Sequence, residues 1–193
     1  MRIQKLTTNP KAYSSNVYYI RGDYNALEDI NTLIDTGADE YIFDELSKIF
    51  YGAGKRSVEQ IILTHNHFDH TGGLKFLQEL YKPKILAFHD DKYITKVLRD
   101  DDVVKIGDKY FHVIYTPGHS NDSICLYGYD DKVLFSGDTP IDVKTKDATY
   151  SLDFICALKR IASMKIETIY PGHGNPYTQN VQEILQRTLE NIT

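Results

Sequence analysis

The chain has 193 residues, of which 41% are hydrophobic and 25% charged; these values are typical of a globular protein, and we expect one domain over residues 1–193. The net charge is −5 at pH 7 and no basic patch is present, so we expect no nucleic-acid partner. We also expect a cytoplasmic protein without a membrane span, because the first residues have no apolar signal-peptide core and no apolar run reaches ~18 residues.

The first third of the chain is predicted to form two strands and a helix. Short runs rich in β-branched and aromatic residues at 16–22 and 30–37 flank a polar, turn-prone segment, which predicts a hairpin. Residues 39–52 then place apolar side chains at helical spacing, and Gly52 is predicted to end this helix. The apolar face of the predicted helix consists of Ile42, Phe43, Leu46, Ile49 and Phe50.

From residue 59 onwards, apolar strands alternate with amphipathic helices. The predicted strands cover 59–65, 83–90, 109–119 and 166–174, and a hairpin covers 122–138. The predicted helices cover 74–81, 91–100, 151–164 and 180–192. The apolar faces of the last two contain Leu152, Ile155, Leu158 and Ile161, and Val181, Ile184, Leu185, Leu189 and Ile192. This order predicts an α/β protein in which helices cover the sheets.

The two cysteines are predicted to be free. Cys125 and Cys156 lie far apart in the sequence, follow no metal-binding spacing and stand in apolar segments. We therefore expect two buried free thiols rather than a disulfide.

Metal-ligating side chains follow four of the apolar runs. One short segment, "HNHFDH", holds three of the seven histidines of the chain, and packing so many polar groups together is costly unless a partner satisfies them. The candidate ligands are His65, His67, Asp69, His70, His119, Asp138 and His173. Imidazole and carboxylate without thiolate suit zinc, iron or manganese. His89 and His112 are predicted to be ordinary core or surface residues.

The spacing of these residues predicts two metal ions. Positions i and i+2 of an extended segment point to the same side, so His65 and His67 can bind one ion together. Asp69 and His70 would face a second centre if the chain bends after His67. Seven ligands are too many for one tetrahedral metal, and they match two metals that share one bridging carboxylate.

These motifs resemble those of the metallo-β-lactamase fold superfamily. "HNHFDH" is similar to its H-x-H-x-D-H signature, and "TPGHS", "FSGD" and "PGHG" at 116–120, 135–138 and 171–174 are similar to its later motifs, in order. "LIDTG" at 33–37 is similar to its early strand-end motif. The resemblance covers nearly the whole chain and implies a four-layer αββα sandwich with a dinuclear site at one edge.

The resemblance also implies a role for each ligand. His65, His67 and His119 would hold the first metal, and Asp69, His70 and His173 the second. Asp138 would bridge the two ions. Asp35 would orient the ligand segment, although a purely structural role in a turn suits it equally well.

Two divalent ions predict a hydrolase. We expect zinc, with iron or manganese as alternatives. The two ions would bind a bridging hydroxide that attacks a small ester, thioester or lactone, while Asp69 holds the proton of the hydroxide and passes it to the leaving group. Among relatives, the glyoxalase II type and lactonases share this ligand set. One alternative is a mononuclear iron oxidoreductase similar to persulfide dioxygenases, and another is a phosphodiesterase or nuclease of the same fold.

The residues that contact substrate are harder to predict. Tyr115 precedes "TPGH", Tyr150 precedes the helix after the bridging aspartate, and Asn175 follows "PGHG". Each is a candidate for lining the pocket of a small-molecule substrate. The sequence makes no prediction about oligomeric state.

Overall fold

The computed structural model describes residues 1–146 and 149–193. The strands are β1 (Arg2–Leu6), β2 (Val17–Arg21), β3 (Thr32–Ile34), β4 (Gln60–Ile62), β5 (Lys84–Ala87), β6 (Lys96–Val97), β7 (Val103–Ile106), β8 (Lys109–Tyr115), β9 (Ile124–Gly128), β10 (Val133–Gly137) and β11 (Thr168–Pro171). The helices are α1 (Ile42–Ser47), α2 (Phe68–Thr71), α3 (Leu74–Tyr81), α4 (Leu152–Ser163) and α5 (Val181–Ile192).

Within the described residues, the strands form two mixed sheets. The first has the order β1-β2-β3-β4-β5-β6, in which β1, β2 and β3 are antiparallel neighbours and β3 to β6 run parallel. The second has the order β11-β10-β9-β8-β7, and it is antiparallel except for the parallel pair of β10 and β11. The predicted hairpins at 16–37 and 122–138 are confirmed by the β2–β3 and β9–β10 pairs.

Three apolar clusters define the layers of an αββα sandwich, which confirms the predicted fold class. In β4, Ile61 packs in the cluster beneath α1 and α3, whereas the next residue, Ile62, packs in the cluster between the sheets. This alternation follows from the period of two residues in a strand. A third cluster joins the second sheet to α4 and α5.

Three helix predictions need correction. The predicted helix over 91–100 is wrong: Lys96–Val97 instead pairs with β5, and the hydroxyl of Thr95 donates to the carbonyl of Ile85 at 2.9 Å. These sheet contacts outweigh the local helical spacing. Helix α1 ends at Ser47 rather than near Gly52, which leaves Phe50 76% exposed.

The buried face of α4 also differs from the predicted one. Leu152 is 79% exposed, and Phe154 and Ala157 are buried in its place. The same rotation exposes Cys156, so the prediction that both thiols are buried holds only for Cys125. Strands β1 and β7 were not anticipated, because their residues carry no clear alternation of apolar and polar side chains.

In the part of the chain that the structure describes, no helix is both long and apolar enough to cross a bilayer. The longest helices there, α4 and α5, have 12 residues each.

Candidate metal centre

The segment after β4 supplies four of the candidate ligands. The chain leaves β4 in an extended course through His65 and His67, and it then turns into the single-turn helix α2. His67 has φ −72° and ψ 149° just before this helix, so the chain bends there. The turn buries Asp69 and His70, whose exposures are 4% and 0%. This is the bend on which the prediction of a second centre depended.

The second sheet supplies the other three candidates. His119 follows β8, Asp138 follows β10 and His173 follows β11. Because β10 and β11 are parallel, with Gly137 opposite Pro171, the residues after them emerge at the same sheet edge. The two sheets therefore meet at one edge with all seven predicted ligands.

These side chains form two groups. In each group, one potential ligand atom per residue lies within 4.8 Å of all the others. The first group is His65, His67 and His119, and the second is Asp69, His70, Asp138 and His173. Within the first, Nε2 of His119 lies 2.8 Å from Nδ1 of His67. Within the second, Nε2 of His173 lies 3.1 Å from Oδ2 of Asp69.

Asp138 lies between the two groups. Its Oδ2 is 3.5 Å from Nε2 of His119 in the first group and 3.4 Å from Nε2 of His173 in the second. Its Oδ1 is 3.3 Å from Nε2 of His70. A carboxylate in this position can contact two cations at once, as predicted for the bridging ligand.

Several of these atoms suit a metal ion because they have no hydrogen-bond partner within the described structure. They are the buried Nε2 atoms of His65 and His70 and Oδ1 of Asp138. The last two lie 3.3 Å apart but do not form a hydrogen bond with each other. A buried polar atom without a partner costs about 1–3 kcal/mol. A divalent cation would satisfy all three, so the donor set fits the metal centre that the residues predict. Their role as ligands stays a prediction.

Burial and charge set the protonation of the two buried histidines. Burial lowers the pKa of His65 to about 4, which leaves its ring neutral at pH 7. Burial also lowers the pKa of His70, but the carboxylates of Asp35 and Asp138 outweigh burial and raise it to about 10. The site thus attracts positive charge at His70, and a metal ion at Nε2 would take the place of that proton.

Asp35 contacts the face of His70 that points away from the other ligands. Its Oδ2 lies 2.7 Å from Nδ1 of His70, and it accepts a bond of 2.8 Å from the hydroxyl of Thr64. Its Oδ1 accepts the backbone N–H of Thr64 at 2.8 Å. Asp35 is 2% exposed and has φ +59°, a conformation uncommon outside glycine. Such a carboxylate fixes the ring orientation and tautomer of a ligating histidine.

Close backbone approach explains one glycine of the site. A Cβ atom on Gly172 would lie 2.1 Å from Oδ1 of Asp138 and 2.8 Å from Cε1 of His70. No side chain fits there unless the Asp138 carboxylate moves.

Two contributors from the loop between β1 and β2 were missed by the sequence reasoning. Tyr13 is 69% exposed and stacks on His173 with ring centroids 4.9 Å apart. Asn16 is buried, and its amide donates to the carbonyls of Pro171 and Gly174, both at 2.9 Å, on either side of His173. Neither residue lies in a recognisable motif, so only the three-dimensional contacts reveal them.

The predicted substrate residues are not among those that line the cleft beside the ligands. That cleft has a volume of about 270 Å³ and is lined by His119, Gly137, Asp138, Thr139, Ile141, Asp142, Pro171, His173 and Tyr177. Tyr115 stacks on Phe88 instead, and Tyr150 packs on Phe154. Asn175 is exposed. Contact of these three residues with substrate stays a prediction.

Comparison with known proteins agrees with the fold. Residues 10–97 and 91–173 match the sequence profile of the Metallo-beta-lactamase superfamily. A solved structure, a beta-lactamase domain protein from Burkholderia ambifaria, superimposes with a TM-score of 0.70 at 22% identity, over 98% of this chain and 72% of that one. At this identity, the similarity supports the fold alone.

Two curated relatives have assigned activities. An atrochrysone carboxyl ACP thioesterase of Aspergillus fumigatus is 27% identical over 163 residues, which are 82% of this chain and 51% of that protein. A hydroxyacylglutathione hydrolase of Nitrobacter hamburgensis is 34% identical over 124 residues, which are 61% of this chain and 49% of that protein. The chain thus spans about half the length of these relatives.

Proposed function

The chain belongs to the metallo-β-lactamase superfamily, and from this premise we propose that it is a hydrolase that cleaves a small thioester with two divalent metal ions. The observation that carries the proposal is the position of Asp138. One carboxylate oxygen lies within 3.5 Å of a histidine nitrogen in each ligand group. A structural zinc site uses four closed ligands around one ion, and it would not need a shared carboxylate between two groups.

Each group would hold one ion. His65, His67 and His119 offer three nitrogens to the first, and Asp69, His70 and His173 offer one oxygen and two nitrogens to the second. Asp138 offers an oxygen to both. When bound, two divalent ions would supply a water-derived nucleophile at neutral pH and a positive charge that polarises the substrate carbonyl.

The protein side chains account for proton movement and orientation. Hydrolysis forms a C–O bond at the acyl carbon and breaks the C–S bond. Asp69 is buried beside His173, and the carboxylate oxygen that does not hold the ion can accept the proton that the attacking water loses. It can then return that proton to the departing sulfur. Asp35 keeps Nδ1 of His70 occupied, so that Nε2 is left to face Asp138 and the other ligands.

A thioester is favoured over an ester or lactone by the two curated relatives, both of which act on acyl–sulfur bonds according to their names. The leaving group also fits the site. A thiol has a pKa near 8.5, so a thiolate departs with little help from a general acid. Asp69 can supply the little general-acid help that a departing thiolate needs. The cleft is open, so the rest of the thiol-bearing carrier can remain outside the site.

The first test is the metal content of protein purified without added metal. We expect close to two equivalents, mostly zinc. The second test is a panel of an acyl-coenzyme A, a hydroxyacyl glutathione thioester, a lactone, a carboxylic ester and a phosphodiester, with acid release from all five followed by a pH indicator and thiol release from the two thioesters by a thiol-reactive dye. We expect turnover of thioesters above all others.

A matched pair of variants links the activity to the site. Asp138→Asn should lose metal and turnover, whereas Asp130→Asn, at the exposed turn between β9 and β10, should retain both. One equivalent of iron with oxygen consumption on a persulfide would overturn the hydrolase proposal in favour of the oxidoreductase alternative. Turnover of the phosphodiester alone would favour the nuclease alternative.

A further inference from the structure

The loop of residues 116–123, here called the His119 loop, joins β8 to β9 in the second sheet. His119 is the only member of the first ligand group that this sheet contributes. His65 and His67 come from the first sheet, after β4. The distances within the first group therefore depend on how the His119 loop is held against the first sheet.

Hydrogen bonds within the His119 loop make it a compact unit. The backbone N–H of Thr116 donates to the carbonyl of Ser123 at 2.9 Å, and that of Ser120 donates to the hydroxyl of Ser123 at 3.2 Å. The hydroxyl of Ser120 donates to Oδ1 of Asp122 at 2.7 Å. Asp122 and His119 thus belong to one hydrogen-bonded turn, so a displacement of Asp122 would also displace His119.

Two residues that follow β5 in the first sheet contact this loop and the strand before it: His89 contacts the loop, and Phe88 contacts the last residue of β8. Nδ1 of His89 lies 3.0 Å from Oδ2 of Asp122, and the side chains are 20% and 18% exposed. Neither atom makes a hydrogen bond in the described structure, so the two side chains meet through a close polar contact that is not a hydrogen bond. Phe88 stacks on Tyr115 with ring centroids 4.3 Å apart and planes at 3°, and the Tyr115 hydroxyl donates to the carbonyl of Asn121 at 2.9 Å.

We propose that His89 is a positioning residue for the first metal. Through Asp122, it holds His119 at the separation from His65 and His67 that a shared divalent ion requires. Binding is tighter when ligands are already in place, because less conformational freedom is lost on binding. The inference rests on the proposed metal centre. It also gives Tyr115 a role in the same contact, with its ring and hydroxyl both engaged within the protein.

The alternative is that His89 and Asp122 form a partly exposed ion pair that does not affect metal binding. Such pairs typically contribute ~0–1 kcal/mol to the stability of the fold. The two explanations differ in what they predict for metal binding. An ordinary ion pair predicts no change in zinc affinity. A positioning contact predicts a loss at the first ligand group and none at the second.

The test is a Zn²⁺ titration of the metal-free full chain, repeated with Co²⁺ so that the absorption spectrum reports the ligand geometry. The His119→Ala variant identifies the binding step of the first group. His89→Ala should weaken that step by about 10-fold, the lower end of the range for residues that orient ligands. The step of the second group should stay unchanged. His112→Ala is the control, because His112 is an exposed histidine of β8 outside both groups.

A double-mutant cycle tests the pair itself. If His89 acts through Asp122, the double variant His89→Ala/Asp122→Asn should lose no more affinity than the greater of the two single losses. Losses that multiply would overturn the inference. If His89→Ala does not fold, His89→Gln carries the test, and wild-type zinc binding by that folded variant would equally overturn it.

Two further outcomes separate this inference from the proposed function. Equal weakening of both steps would mean general destabilisation and would overturn the positioning role alone. Failure of the wild-type protein to bind zinc at all would overturn the proposed metal centre, and the inference with it.

Discussion

The contact between Asp35 and His70 supports the most detailed prediction. If Nε2 of His70 binds a metal ion, Nδ1 must carry the ring proton, and it then donates to Oδ2 of Asp35 at 2.7 Å. Asp35→Asn preserves the shape of the side chain and one acceptor for the N–H of Thr64. The other terminal atom, however, becomes an NH₂ group that faces the N–H of His70.

The amide N–H of the asparagine and the Nδ1–H of His70 are both donors and cannot hydrogen-bond to each other, so the ring proton of His70 must move. The favourable response is the other tautomer, in which Nδ1 accepts from the asparagine amide and Nε2 carries the proton. That proton blocks the metal. We expect the affinity of the second ligand group to fall 10–100-fold, which corresponds to about 1.4–2.7 kcal/mol. The first group should lose less affinity, because Asp35 reaches His65 through the hydroxyl of Thr64 rather than by a direct hydrogen bond.

Isothermal titration of metal-free protein with Zn²⁺ measures both steps. Asp29→Asn is the matched control, since Asp29 is another buried carboxylate that accepts a backbone N–H, from Ala26 at 2.7 Å, away from the ligands. A folded Asp35→Asn variant whose second zinc step equals that of the wild-type protein would refute the reasoning. An equal loss in Asp29→Asn would show that removing a buried charge, rather than the tautomer of His70, is responsible.

Three further predictions use separate features. Burial raises the pKa of the Cys125 thiol to about 11, whereas Cys156 is exposed. A thiol reagent at pH 8 should therefore label one cysteine in the native chain and two in denaturant. Rapid labelling of both cysteines in the native protein would contradict this prediction. Gly172→Ala should displace Asp138 and lower metal content with little change in melting temperature, and full metal content would contradict the close approach. The folded-state pKa of His70 is raised to about 10, so the protonated ring contributes fully to the stability of the metal-free protein below pH ~6.5, and this contribution is lost as the pH rises towards 10. Denaturant unfolding measured as a function of pH checks this prediction. A free energy of unfolding that does not fall over this pH range would contradict it.

The sequence was most informative where chemistry and chain order coincide. Strands with both faces buried leave a continuous apolar run, and a ligand just after such a run must lie at a sheet edge. This made the four ligand-bearing segments visible, and the family motifs fixed which fold joins them. The three histidines within "HNHFDH" are evident from the sequence alone.

Contacts between distant segments could not be predicted in the same way. The segment around Lys96–Val97 has helical spacing, yet backbone bonds to β5 make it a strand. Leu152 and Cys156 share a helix whose rotation is set by the sheet beneath it, so spacing alone misplaced both. In each case, the packing partner is remote in sequence.

The sequence by itself therefore determined the kind of site, and the tertiary structure decided how its parts meet. Residue type and order specify imidazole and carboxylate ligands in two sets. Only the fold places Oδ2 of Asp138 between those sets, Asp35 behind His70, and His89 against the loop that carries His119. The physical reason is that ligand chemistry is a property of single residues, whereas distance and tautomer depend on neighbours that the chain brings together only on folding.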